Sequence, residues 1–173
     1  HMSFSKADLP KVAEIEADRF QNLKYDETQF TTEAGAVYGE YRKGRTSPFG
    51  VLFESLQNAA FDKHTYKHTV IGFEADIKTM PQHYDYSLSF FKRFYRPENV
   101  VLLIVGDFDR AETMKQITAA YGAWAPGYTA PKVEPEPEQT AMRRFVVPFE
   151  GKTLPILSLN WKGERLIATD KQM

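Results

Sequence analysis

The sequence predicts an α+β domain, a two-layer packing of helices on a sheet, and three observations point that way. Apolar residues recur at three- and four-residue spacing in several stretches of the first hundred residues. A continuous apolar run, 100–105, has the length of a strand covered on both faces. Two further runs with β patterning, 142–149 and 154–161, follow a proline-rich connector. Three strands make a thin sheet for so many helices, so the domain is expected to be incomplete.

Asp8, Leu9 and Pro10 open the first helix, with Leu9, Val12, Ala13, Ala17 and Phe20 on its apolar stripe, and it should run to about Leu23. Thr31 and Thr32 offer N-caps for a second helix that contains Glu33 and Glu40, and Gly44 stands where a C-cap would end it. Ser47-Pro48 is an N-cap followed by proline in the first turn, starting a third helix through Ala60. Residues 62–69 are polar and turn-like, and 70–73 read as a short extended piece. Thr79 and Pro81 start a fourth helix carrying Tyr84, Leu88, Phe91 and Tyr95.

Pro97-Glu98-Asn99 is a turn, followed by the apolar run 100–105. Asp109 and Glu112 form a capping box for a helix ending near Tyr121-Gly122. Prolines 126, 131, 135 and 137 mark an extended, solvated connector over 126–140. The chain thus divides into 1–125, the connector 126–140, and a β-rich segment 141–173 that either continues the same sheet or opens a new domain.

Composition narrows the functional classes. Thirteen Phe and nine Tyr among 173 residues suit a soluble chain with a packed aromatic core. A net charge of −1, with both signs interleaved, removes the electrostatic basis for binding nucleic acid or an anionic membrane. The absence of cysteine excludes disulfides, thiolate metal sites and a cysteine nucleophile, and leaves the redox compartment open. No stretch is long and apolar enough for a signal peptide or a membrane span. His1-Met2 reads as a cloning scar, and the end at Met173 carries no closing signal, so both termini read as cuts.

Glu33 and Glu40 are seven residues apart, which at about 100° per residue places them two turns apart on one helical face with Val37 between. Two solvated surface glutamates would give the same spacing, and the residues alone leave both readings open. His64 and His68 are four apart, as helical zinc ligands often are, but they fall in a turn-rich segment with no adjacent Glu, so structural loop roles are expected. Ser55 and Ser158 have no histidine and acid at recognisable spacing, and Gly35 and Gly39 fit no phosphate loop. Trp124, just past a helix end, is expected to staple onto the core.

Four segments in order carry a resemblance. Ala17-Asp-Arg-Phe-Gln-Asn-Leu23 leads to Thr32-Glu-Ala-Gly-Ala-Val-Tyr-Gly-Glu-Tyr-Arg42. His64-Thr-Tyr-Lys-His-Thr-Val-Ile-Gly72 follows, with Asp76-Ile77 behind it. Last comes Phe90-Phe-Lys-Arg-Phe-Tyr-Arg-Pro-Glu-Asn-Val-Val-Leu-Leu-Ile-Val-Gly-Asp107. Together they resemble the pitrilysin/insulinase/mitochondrial-processing-peptidase family of zinc metallopeptidases, over nearly the whole chain. The resemblance implies a zinc site in which a His-x-x-Glu-His helix supplies two ligands and the general base, and a downstream glutamate supplies the third ligand. Glu40 matches that third ligand, and Glu33 the acidic residue that steadies the site from behind. Three protein ligands leave a fourth position for the water that attacks a peptide carbonyl.

No His-x-x-Glu-His occurs in these residues. The resemblance places that motif upstream of residue 1, so the chain alone is expected to be metal-free and inactive. The parent would be a zinc metalloendopeptidase of peptides or small unfolded proteins, built from further homologous domains, with 1–125 forming the C-terminal part of the domain that bears the zinc ligand. A bacterial member is expected in the periplasm rather than the cytoplasm. Two alternatives stand beside it: a non-catalytic partner subunit of a heteromeric peptidase of the same family, and an unrelated α+β binding module. An exposed strand edge at 142–161 would favour pairing with a second copy.

Overall fold

The computed structural model describes residues 1–163 and contains six α-helices among them. They are α1 (Leu9–Asn22), α2 (Glu27–Gly44), α3 (Pro48–Ala60), α4 (Glu74–Thr79), α5 (Tyr84–Phe94) and α6 (Arg110–Tyr121). Short 3-10 turns at Lys6–Asp8, Thr65–Lys67, Met80–Gln82 and Pro97–Asn99 join them. The chain divides into two compact units. One comprises His1–Ala36 with Lys78–Lys132, the other Val37–Ile77 with the chain from Val133 onward.

In the first unit α1 packs against α6. Ala13 and Ala17, one turn apart, are buried on α1, and Thr113 is buried on α6. Small side chains at i and i+4 let another backbone approach closely. The Gln21 side chain donates to the carbonyl of Ala120 at 3.0 Å, which ties the end of α1 to the end of α6. Phe20 meets Tyr95 at 5.5 Å and Trp124 at 6.3 Å, so Trp124 is the expected staple. Tyr84 donates to the Tyr25 carbonyl at 3.0 Å, and the Tyr25 hydroxyl is 2.9 Å from that of Ser87. In these clusters Phe20, Trp124, Tyr25 and Tyr84 are half-buried.

Among the described residues of the second unit, Tyr41, Val51 and Ile77 are the buried apolar ones. Ser47 Oγ accepts from the Gly50 amide at 3.4 Å at the start of α3, with Pro48 in the first turn as expected. Gly50 is required there, because a Cβ would stand 2.6 Å from the carbonyl oxygen of Gly44.

The helix-on-sheet expectation is overturned: the structure is helical, and no strand occurs among the described residues. Residues 100–105, 142–149 and 154–161 run without regular secondary structure. β patterning records side chains that suit a sheet, but a strand exists only where a second backbone supplies the ladder of hydrogen bonds. None lies alongside these runs among the described residues. Val101 is 93 % exposed and Trp161 83 %, where a sandwich would have covered them. The edge on which pairing with a second copy rested is therefore absent as well.

Smaller corrections follow local signals. α2 starts four residues before Thr31, because Asp26 and Gln29 form a reciprocal capping box: the Gln29 amide donates to Asp26 Oδ1 at 2.8 Å, and the Asp26 amide to Gln29 Oε1 at 2.9 Å. Residues 70–73 are not extended: Val70 and Ile71 form a turn closed by the Gly72 amide on the Thr69 carbonyl, with Gly72 at φ +92°. The helix expected from Thr79 begins at Tyr84, after α4 and a 3-10 turn. Of the segment 141–173, the part 164–173 lies outside the described residues.

Candidate functional site

α2 runs unbroken through both glutamates, so their seven-residue spacing becomes one stripe of an 18-residue helix. Glu33 and Glu40 are both exposed, and neither carboxylate is hydrogen-bonded or ion-paired to a described residue. Glu33, in the first unit, lines a shallow depression with Leu23, Lys24, Tyr25, Gln29 and Phe30. Glu40 belongs to the second unit.

The roll of α2 at Glu40 is set by the next residue. Tyr41 is 5 % exposed, and its hydroxyl donates to both oxygens of Glu54 on α3, at 3.1 and 3.3 Å. Arg45 donates to Glu54 Oε2 at 3.3 Å and completes the group. Burial, reinforced by the Glu54 carboxylate, pushes the Tyr41 phenol up to about 12. With Tyr41 turned inward, a step of about 100° carries Glu40 outward to solvent.

The histidines are loop residues. The imidazole Nδ1 of His64 accepts from the Tyr66 amide at 3.1 Å, and its ring lies 4.6 Å from that of Tyr66. His68 packs against Phe73, and its Nδ1 is 2.9 Å from the Thr69 carbonyl oxygen. Exposed His83 lies 3.3 Å from the Thr79 hydroxyl.

No group of three or more His, Cys, Asp or Glu side chains among the described residues comes together to hold a metal ion. A catalytic zinc needs three protein ligands and a structural one four, so the described residues do not fit the ion by themselves.

Sequence reasoning missed a second polar centre. Glu136, expected to be solvated in the connector, has a side chain only 13 % exposed. Its carboxylate accepts from the backbone amides of Asp62 (2.8 Å), Lys63 (2.8 Å) and His64 (3.0 Å), and from Lys162 Nζ (2.8 Å). Burial raises the carboxyl pKa, but the hydrogen bonds from His64, Lys162, Lys63 and Asp62 outweigh it and hold the group far below the ordinary carboxylate range. The signal in the sequence is Pro135-Glu136-Pro137: two prolines restrict the backbone around one acid.

Comparison with known proteins gives the family. The sequence model described as "Peptidase M16 inactive domain" matches residues 83–172. The zinc protease PqqE of Helicobacter pylori is 30% identical over 168 residues, covering 91% of this chain and 36% of that protein. The beta subunit of mitochondrial-processing peptidase from Bos taurus is 26% identical over 120 residues, covering 69% of this chain and 24% of that protein. The crystal structure of a protease from Helicobacter pylori superposes with a TM-score of 0.70 at 27% identity, covering 78% of this chain and 33% of that one. The chain spans about a third of the length of the Helicobacter pylori relative and less of the mitochondrial one. Membership also disposes of the unrelated binding module, and with a family model over more than half of its length, this chain belongs to the M16 peptidase family.

Proposed function

We propose that this chain is one part of a zinc-dependent metalloendopeptidase acting on peptides or small unfolded proteins, and that alone it is inactive. The observation carrying the reading is the pair Glu33 and Glu40, exposed and unengaged by described residues along one stripe of α2, in a chain of the M16 peptidase family. Glu40 is the third zinc ligand of the longer protein, and Glu33 holds the neighbouring ligands in position. The two histidine ligands and the general base come from a His-x-x-Glu-His segment outside these 173 residues, and further homologous domains complete the substrate chamber.

Metal analysis and a fluorogenic-peptide assay of this chain, and of a version extended upstream, test the proposal. The extended version should hold one zinc per chain and cleave peptide, and a chelator should stop it; this chain should do neither. Stoichiometric zinc and cleavage by the 173 residues alone would overturn it.

A second reading, a non-catalytic partner subunit, is favoured by the match of residues 83–172 to an inactive-domain model and by a relative named as a subunit. It holds if the extended version neither binds zinc nor cleaves.

A further inference from the structure

Three successive backbone amides that converge on one carboxylate make an anion cradle, and charge-assisted bonds of this kind are about twice as strong as neutral ones. The amides of Asp62, Lys63 and His64 lie after the end of α3 and before the 3-10 turn Thr65–Lys67, so they belong to neither helix. All three point at Glu136, and the Lys162 ammonium closes the fourth side at 2.8 Å. Lys162 is itself held over the Phe61 ring, 5.2 Å from its centroid. On the outer side Arg143 pairs with Asp62, which fixes the loop from behind.

The acid that fills the cradle is more than 70 residues away in sequence and arrives on a segment that forms no helix. Glu136 precedes Pro137, which limits its backbone to extended forms, and follows Pro135, so little chain entropy is lost when it docks. A tethered ligand of this kind acts at a high effective concentration and excludes the same chemistry from solution.

We propose that the loop 62–64, with Lys162, is a carboxylate-binding site which the connector occupies in cis through Glu136, and which takes a carboxylate from outside, such as the C-terminus of a peptide, once Glu136 is withdrawn. The connector is then a strap fastened at one acid. The site is independent of zinc and of Glu40, so its test stands or falls apart from the peptidase reading.

Amide exchange and chemical shifts of the 15N-labelled chain decide the matter. In the unmodified chain the amides of Asp62, Lys63 and His64 should exchange about tenfold or more slower than unhindered peptide, and should not respond to acetate. In Glu136→Ala that protection should fall by about tenfold, and the three resonances should shift saturably with acetate but not with chloride at equal ionic strength. A short peptide with a free C-terminus should reproduce the acetate shifts and its C-terminal amide should not, which separates an outside carboxylate from the strap's own.

Glu138→Gln, a change at an exposed acid two residues further along the connector, should alter none of this. If Glu136→Ala loses its helical circular dichroism, the isosteric Glu136→Gln serves, with saturation expected at higher acetate concentration. Unprotected amides in the unmodified chain, or identical responses to acetate and chloride in the variants, would overturn the proposal.

Discussion

Arg143 grips Asp62 as a two-pronged fork, Nη1 donating to Oδ1 at 3.1 Å and Nη2 to Oδ2 at 2.5 Å, while Nη1 also donates to the Ala59 carbonyl at 2.6 Å. One guanidinium thus satisfies a carboxylate and a carbonyl of the last turn of α3, where the helix itself supplies no partner. The hydrogen bond from Arg143 holds the Asp62 carboxyl below its usual range against a smaller opposing effect of burial.

A carboxyl with a depressed folded pKa stabilises the fold above its unfolded value, about pH 4, and that stability is lost as pH falls through the folded value. Arg143→Ala should therefore lower the thermal midpoint at neutral pH, by about 2 °C. The gap to the unmodified chain should close as pH falls below about 4. Urea or thermal unfolding across the acid range checks this, and a gap that persists undiminished at the lowest pH would contradict it.

Tyr41 gives an alkaline counterpart. Its phenol is pushed up to about 12, by burial first and then by Glu54, so the contribution is complete below the ordinary tyrosine value and lost as pH rises toward 12. Ultraviolet titration should show one tyrosine ionising near 12, and Tyr41→Phe should remove that phase. The same variant should cost about 1–2 kcal/mol in urea unfolding, as the buried hydrogen bond to Glu54 is lost.

Ile77 is 1 % exposed, the most completely covered large side chain among the described residues. Ile77→Ala should cost about 2–5 kcal/mol, the usual range for such truncations in a filled core. Ile77→Val should cost about 1 kcal/mol. Equal losses for the two would contradict a filled core at this position.

In a version of the protein extended upstream, the two glutamates of α2 should separate by role. Glu40→Gln should abolish stoichiometric zinc and peptidase activity together. Glu33→Gln should weaken metal affinity about 10–100-fold, as expected for a group that positions ligands. Matched metal titrations check both, and retention of full zinc affinity by Glu40→Gln would remove the ligand assignment.

The features legible in the sequence were those whose partners are a few residues away. Ser47-Pro48 starts α3, and Asp109 starts α6 by accepting from the Glu112 amide at 2.8 Å. The start of α2 was legible in the same way at Asp26 and Gln29, but two threonines further on gave a competing signal. The runs at 100–105, 142–149 and 154–161 misled because a strand depends on a neighbour that its own residues do not encode. Glu40 was placed by resemblance to a family rather than by spacing. Glu136 was only half legible for a different reason: the flanking prolines mark a stiffened acid, but its partners are mostly backbone amides, which every residue except proline carries, so no side-chain pattern shows what it meets.

The fold's two tryptophans sit in different units and in different surroundings. Trp124 is half-buried between Phe20 and Tyr121 in the first, and Trp161 is 83 % exposed in the second. The chain therefore carries two optical labels that need no chemistry to install. The shorter-wavelength part of its emission reads the loosening of α1 against α6, whereas an aqueous quencher silences Trp161 first. Unfolding followed with and without quencher would tell whether the two units melt together or one after the other.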